Sequence, residues 1–586
     1  MKRCPQCNRV EADETLKFCR VDGATLVSDS LSLNSEAGTA KLGSDSVSRE
    51  IETSVLSHRT DAKIDRATAP TTVLPAQPAP GATRELTKTK HFRAIHFVAL
   101  VSAAFAVTAV VLGGHYYSKL SGHTAIQSIA VMPFVNESGN ADVEYLSDGI
   151  TETLISSLSQ LPSLNVKPRS SVFRYKGKET ESQTIGKELS VQAILNGRVA
   201  QRGQELSVFV ELIDVSLNKV IWSQRYDRKQ SDLVTLQSEI ARDVSSKLQS
   251  TLSGTEIAKV EKTYTANAEA YQLYLKGRFY WNKRTAESLK QSVDFYNQAI
   301  AKDPNYALAY SGLSESYGLF PSYSVALPQE SMPKAKAAAV RAIEIDDSLA
   351  EAHSALGVYL AAYSWNQPAA EKEFRRAIEL NPRYPTAHQQ LANLCLMAMG
   401  RFDEAIVEGR RAEELDPLSP IISMDVGANL TRARRFNEAI AQLNRTLTLD
   451  PNFYAARYAL GTAYHANGQY GEAIAEFRKA LALDDDPWVK ALLARSLVKS
   501  GQRAEAVSIL AELQSEAAHR YVTSAAFALV FAALGEKDKA FVWLEREVTE
   551  RASRPPLFSV NPVFDDLRDD LRFQDVIRRV AAAKLD

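Results

Sequence analysis

Cysteine is scarce in this chain: four among 586 residues, with Cys4, Cys7 and Cys19 inside the first nineteen positions and Cys395 alone in a helical pattern. That distribution builds no intrachain disulfide framework. Cys395, with no acid–base constellation near it in sequence, reads as a small buried apolar side chain. A dominant charge sign is also missing. With 69 basic against 70 acidic side chains, no global field gathers nucleic acid or anionic lipid, so every charge argument is local. Enzyme signatures are absent too: there is no G-x-S-x-G, H-E-x-x-H, Walker or kinase glycine-loop pattern. The chain therefore reads as a non-enzyme without catalytic residues, and its acid runs at Asp484–Asp486 and Asp565–Asp570 read as helix-end and surface charges.

Long apolar runs are rare, with one exception. From Ala94 to Tyr117 no Asp, Glu, Lys or Arg interrupts the sequence, and about 20 apolar residues suffice to cross a bilayer core. The run predicts one transmembrane helix over 92–118. Arg84, Lys88, Lys90 and Arg93 precede it and Lys119 follows, so the basic flank predicts a cytoplasmic N-terminus. The expected localisation is a bacterial inner membrane, single-pass, with the C-terminal domains periplasmic or otherwise extracytoplasmic. Ahead of the run, residues 28–91 are rich in Ser, Thr, Ala and Pro without apolar periodicity, and such a segment reads as a disordered linker.

What is present at the N-terminus is C-x2-C-x11-C-x2-D, formed by Cys4, Cys7, Cys19 and Asp22. The pattern resembles bacterial zinc ribbons in which C-P-x-C precedes F-C-x-x-D-G, and departs from them in lacking the fourth thiol. Thiolates suit zinc in a reducing compartment. The resemblance implies a structural zinc held by Cys4, Cys7 and Cys19, with Asp22 or a water completing the tetrahedron. A ribbon of 27 residues has too few apolar side chains to fold without its metal. Its basic residues are offset by Glu11, Asp13, Glu14 and Asp22, so no basic stripe points to nucleic acid and a protein contact is expected.

Beyond the apolar run, S-I-A-V-M-P-F-V (128–135) suits a buried strand and residues 143–161 carry helical apolar spacing. Three runs, A-I-L-N-G-R-V-A-Q, L-S-V-F-V-E-L-I and K-V-I-W-S-Q-R-Y, are separated by R-G-Q-E and S-L-N-K, which predicts an antiparallel meander. A helix from Ser231 to about Leu252 follows. With Y-L-S-D-G-I-T-E-T-L-I and L-I-D-V, this stretch resembles the TolB amino-terminal-like domain over 126–252. The resemblance implies a small α/β domain with a mixed sheet, used in assembly or sensing.

The rest repeats. Phe402, Phe436 and Tyr470 stand 34 residues apart, as do Asp416, Asp450 and Asp484, and that period is the tetratricopeptide one. In the clearest unit Leu460, Gly461, Tyr464, Ala473, Phe477 and Ala480 occupy the family's small and large positions, so Gly461 and Ala473 let two helices approach while Tyr464 and Phe477 fill the space between. Degenerate copies extend the array to roughly eight helix pairs. The expected fold class is multidomain: zinc ribbon (1–27), linker (28–91), transmembrane helix (92–118), α/β domain (126–252), all-α tetratricopeptide solenoid (262–550) and capping segment (551–586). The expected function is a membrane-anchored scaffold whose concave groove binds a protein or peptide. The alternative is a one-span signalling receptor or regulator acting through a partner recruited by the ribbon.

Overall fold

The computed structural model describes residues 2–3, 10–11, 27–28, 126–248, 253–323, 325–551 and 555–583. The chain divides into two compact units, 1–108 and 109–586. In the first, strands β1 (Lys2–Arg3), β2 (Val10–Glu11) and β3 (Val27–Ser28) form an antiparallel sheet in the order β2-β1-β3.

The expected transmembrane helix requires correction. Among the described residues no helix is long and apolar enough to cross a membrane, and residues 92–118 lie outside those described. The longest described helix, Pro328–Ile345, carries Glu330, Lys334, Lys336, Arg341 and Glu344, charges that a single lipid-facing span does not tolerate. The one-span fold class falls with it, as do the inner-membrane localisation and the membrane as a partner.

The second unit opens with a mixed sheet. Strands β4 (Ser128–Val131), β5 (Val135–Asn136), β6 (Asn165–Val166), β7 (Ala193–Arg202), β8 (Glu205–Asp214) and β9 (Lys219–Lys229) follow in chain order. β4 lies parallel between β6 and β7, and β7, β8 and β9 form the antiparallel meander that the alternating residues predict. Leu206, Val208, Val210 and Leu212 are buried, as a period of two requires for a half-buried strand. β9 forms one edge and carries Lys219, Arg225, Arg228 and Lys229, charges of the kind that disfavour edge-to-edge pairing. Two long helices, α1 (Glu144–Ser159) and α2 (Leu233–Leu248), and two short ones, Arg169–Phe173 and Ser182–Leu189, complete the domain.

Eight helical hairpins follow among the described residues. Their first helices begin at Ala268, Ala307, Ala350, Pro385, Pro420, Tyr454, Pro487 and Ser524, and their second helices at Ala286, Pro328, Gln367, Phe402, Phe436, Tyr470, Arg503 and Lys537. Close approach within a hairpin comes from glycine. A Cβ on Gly357 would lie 2.7 Å from the Phe374 ring, one on Gly427 2.5 Å from Leu443, and one on Gly461 2.7 Å from the Phe477 ring. The first helices of the third and fourth hairpins end in π-helical turns, Leu360–Ser364 and Leu391–Leu396.

A polar latch recurs at one repeat position. His353 contacts Glu373 at 2.7 Å and the Asp347 carbonyl at 3.0 Å; His388 contacts Glu408 at 2.6 Å and the Pro382 carbonyl at 3.2 Å. In the sixth hairpin Arg457 does the same, donating to Glu476 at 3.0 Å and to the Pro451 carbonyl at 2.7 Å. The last helix, Leu571–Ala582, buries Phe573, Val576 and Val580 in the core of the terminal hairpins.

Candidate functional site

In the first, third, fifth and sixth hairpins a glycine of the first helix faces the second helix, and another side of the first helices lines an inner wall. Ser314, Val358, Gln390, Asp425, Tyr458 and Trp488, one from each of the second to seventh hairpins, border a single cavity of about 1320 Å³. That exceeds the roughly 300–1,000 Å³ of small-molecule pockets. Glu152 and Ser156 of α1, Pro168, Arg169 and Ser170 at the start of the short helix Arg169–Phe173, and Leu557 and Phe564 near the C-terminus close its other sides.

The α/β domain holds its place in this wall through named contacts. Ser170 and Ser171 both donate to the Asp416 carboxylate, Ser171 at 3.0 Å. Burial pushes the Asp416 carboxyl above its usual range, against the two serine hydrogen bonds. Deeper in, Arg278 of the first hairpin bridges Glu152 of α1 and Glu315 of the second hairpin, the latter at 2.9 Å, while Asn282 donates to Glu152 at 2.9 Å. Burial alone would raise the Glu152 carboxyl, yet Arg278 and Arg169 hold it below the usual range. Glu351, also on the wall, is pushed above the usual range by burial, which the Glu315 charge reinforces and which a backbone hydrogen bond and the Arg278 and Lys262 charges only partly offset.

Toward the middle the wall turns to amides and aromatics. Gln389 donates to Asp425 at 2.8 Å, Asn393 accepts from Arg432 at 2.6 Å, and the Tyr454 and Tyr458 rings stand 5.9 Å apart. Donors, acceptors and ring faces in rows suit an extended chain better than one reacting atom.

Cys4, Cys7, Cys19 and Asp22 lie outside the described residues. Cys395 is fully buried, its thiol pushed up to about 12 by burial, and donates to the Gln367 carbonyl at 3.3 Å. Asp486 and Asp570 cap helices, as expected of helix-end charges. Asp565 and Asp566 depart from that expectation, pairing with Arg434 and Arg495 of distant hairpins. Asp485, Glu512 and Glu516 converge, but the Lys490 ammonium fills their centre, 2.7 Å from Asp485 and 2.5 Å from Glu512. His465 and Ser496 lie 2.7 Å apart, both buried, and burial depresses the imidazole to about 3, which makes it a neutral ring of weak basicity at neutral pH.

Sequence reasoning missed the Glu152–Arg278–Glu315 cluster and the role of Asp416. The repeat period marks Asp416 only as punctuation before Pro417, and no local signal ties it to a serine pair 245 and 246 positions away.

Residues 125–243 match the second domain of HilA/YgeH-like transcriptional regulators. A protein of Rhizobium meliloti (strain 1021) that provisionally carries the name adenylate cyclase 3 is 31% identical over 248 residues, 42% of each chain. The chain thus spans less than half the length of that relative. Among solved structures, YrrB, described as a TPR protein with an unusual peptide-binding site, is 21% identical, with 33% of this chain and 94% of that one covered and a TM-score of 0.24. TTC0263 of Thermus thermophilus, also a TPR protein, is 22% identical over 33% of this chain and 99% of its own, with a TM-score of 0.28. Tetratricopeptide-repeat families match residues 366–420, 430–495 and 465–529, and the helical array is a run of tetratricopeptide repeats.

Proposed function

We propose that the chain is a protein-interaction scaffold without chemistry of its own, whose array takes an extended segment of a partner protein along the inner wall. The observation that carries this reading is the cavity of about 1320 Å³ bordered by the first helices of consecutive hairpins. The test is selection of displayed random peptides on the full chain. Selected peptides should bind Ala428→Trp, which fills the wall of the fifth hairpin, at least about tenfold more weakly, and should bind Val407→Asp, on an exposed position, unchanged. Equal binding to both would remove the groove from the account.

A second reading, a regulator acting through a recruited partner, is favoured by the match of 125–243 to a transcriptional-regulator domain. On either reading the N-terminal segment is a zinc ribbon with Cys4, Cys7, Cys19 and Asp22 as ligands, a reading supported by the three short antiparallel strands that flank them in sequence. Elemental analysis of the purified full chain should find one zinc, lost in Cys19→Ala and held more weakly in Asp22→Ala; a metal content indifferent to Cys19 would reject it.

A further inference from the structure

One backbone position recurs at the turn inside the hairpins. In all but the second, the residue just before the N-cap of the second helix takes a left-handed conformation. Gly400, Gly468, Gly501 and Gly535 fill this position in the fourth, sixth, seventh and eighth hairpins, and glycine adopts it without steric cost. Arg284, Trp365 and Arg434 fill it in the first, third and fifth, at φ 54°, 60° and 63°. There a Cβ crowds the following carbonyl, so a side chain kept at this position has a use that glycine cannot serve.

For two of the three the use is visible. Arg434 takes the Asp565 carboxylate in a two-pronged contact, the Nη2 arm at 2.7 Å, and Trp365 carries the Arg551 guanidinium 3.9 Å from its ring centroid. Arg284 lacks the equivalent. Its guanidinium carbon lies 3.6 Å from the Trp281 ring centroid, but among the described residues no acceptor bonds it and no carboxylate pairs with it. Glu315, whose charge reaches Arg284, is held by Arg278 at 2.9 Å. The Arg284 side chain is exposed and borders the cavity. Two further polar hydrogens at this end lack an acceptor: the Trp281 indole N–H and the hydroxyl of Ser311, one turn before Glu315, are buried without a hydrogen-bond partner, and both residues border the same cavity. Donors are therefore in surplus here, and a guanidinium fork matches the two oxygens of a carboxylate.

We propose that Arg284 is the receptor for a carboxylate of the bound segment, placed at the end of the cavity formed by the first two hairpins. The proposal rests on the groove reading above. The incoming carboxylate makes at Arg284 the two-pronged pair that Asp565 makes at Arg434, and the stack on Trp281 holds the guanidinium in place before the segment arrives, which lowers the ordering cost of binding. An aspartate or glutamate side chain and a terminal carboxylate share this chemistry. On this assignment Arg284 serves binding rather than folding, and glycine, which serves the same turn in four other hairpins, replaces it without loss of stability.

The test uses the full chain and the peptides selected on it from a displayed random library. These should share an aspartate or glutamate at one position, or a free terminal carboxylate, and converting that group to its amide should weaken binding at least about tenfold. Which of the two amides has the effect separates the side-chain source from the terminal one. The parent peptide should bind Arg284→Gly as weakly as its amide binds the unaltered chain, and on Arg284→Gly the amide should lose nothing further. Arg284→Gly should also unfold at an unchanged or higher denaturant midpoint, because it relieves the left-handed backbone; an arginine with only a structural role predicts a lower one. Peptides that Ala428→Trp weakens, but that neither amide nor Arg284→Gly affects, keep the groove and overturn the carboxylate site. An Arg284→Gly chain that loses both stability and binding, while the amides bind the unaltered chain as well as their parents do, overturns it too. If no peptide is selected, or Ala428→Trp leaves binding unchanged, the groove reading fails and the site falls with it.

Discussion

At the residue scale, the hairpins depend on side chains that cannot be enlarged. The Tyr296 ring is wedged between two glycines: a Cβ on Gly277 would lie 2.5 Å from it, and one on Gly312 also 2.5 Å. Tyr296 is fully buried, so the ring has nowhere to retreat. Gly312→Ala should therefore destabilise by about 1–3 kcal/mol despite its better helix propensity, read as a lower denaturant midpoint at unchanged slope. An unchanged midpoint would mean that the ring can move. The histidine latch gives a second expectation. Burial opposes charge on His353, but Glu373 and the Asp347 carbonyl and carboxylate outweigh it and raise its pKa above 6.5. A raised pKa contributes stability that is complete below about 6.5 and lost as pH climbs through the folded value. The stability difference between the unaltered chain and His353→Gln should accordingly shrink from pH 6 toward pH 9; a constant difference would assign the latch a neutral imidazole.

At the scale of elements, the second helix of the sixth hairpin, Tyr470–Leu481, buries Ala473, Phe477 and Ala480 against the first helix, Tyr454–Ala466. Ala473→Phe places a ring where there is no free space, with an expected cost of about 1–3 kcal/mol. Its damage should stay within the neighbouring hairpins, because stability in a repeat array is close to a sum of local and nearest-neighbour terms. Hydrogen exchange that weakens equally in β7–β9 would contradict that. This hairpin was legible in sequence because its small and large residues recur at fixed spacing, and the β7–β9 meander because apolar residues alternate between turn signals. Short elements were not. β6 has two residues, too few for a period, and it joins the sheet only because β4 lies beside it. The π-helical turns were equally hidden, since Leu360–Ser364 and Leu391–Leu396 read as ordinary helical sequence and differ only in where their carbonyls point.

At the scale of the second unit, the α/β domain and the start of the array are not separate bodies joined by a linker. One core cluster runs from Ile126 through Leu248 to Tyr296 and Ala338, whereas Ala473, Phe477 and the terminal hairpins belong to another. A Cβ on Gly149 of α1 would lie 2.9 Å from the Leu275 side chain, and Tyr271 donates to Gln237 of α2 at 2.6 Å. Arg278 joins the two parts electrostatically, between Glu152 and Glu315, with each side chain less than a fifth exposed. Removing the cation takes the nearest counter-charge from two carboxylates in a poorly solvated site, leaving Glu152 only the more distant Arg169 and its Asn282 hydrogen bond, and breaking a buried pair this way costs about 3–5 kcal/mol. Arg278→Met should therefore lower protection together in 144–159 and 268–319, while 454–550, in the other cluster, keeps its own. Adding Glu152→Gln and Glu315→Gln to Arg278→Met should recover most of the loss, because the penalty lies in the unpaired charges rather than in the missing side chain. If exchange rises only within 268–302, or the triple variant remains as unstable as the single one, Arg278 is a packing residue of its own hairpin and does not couple the domain to the array.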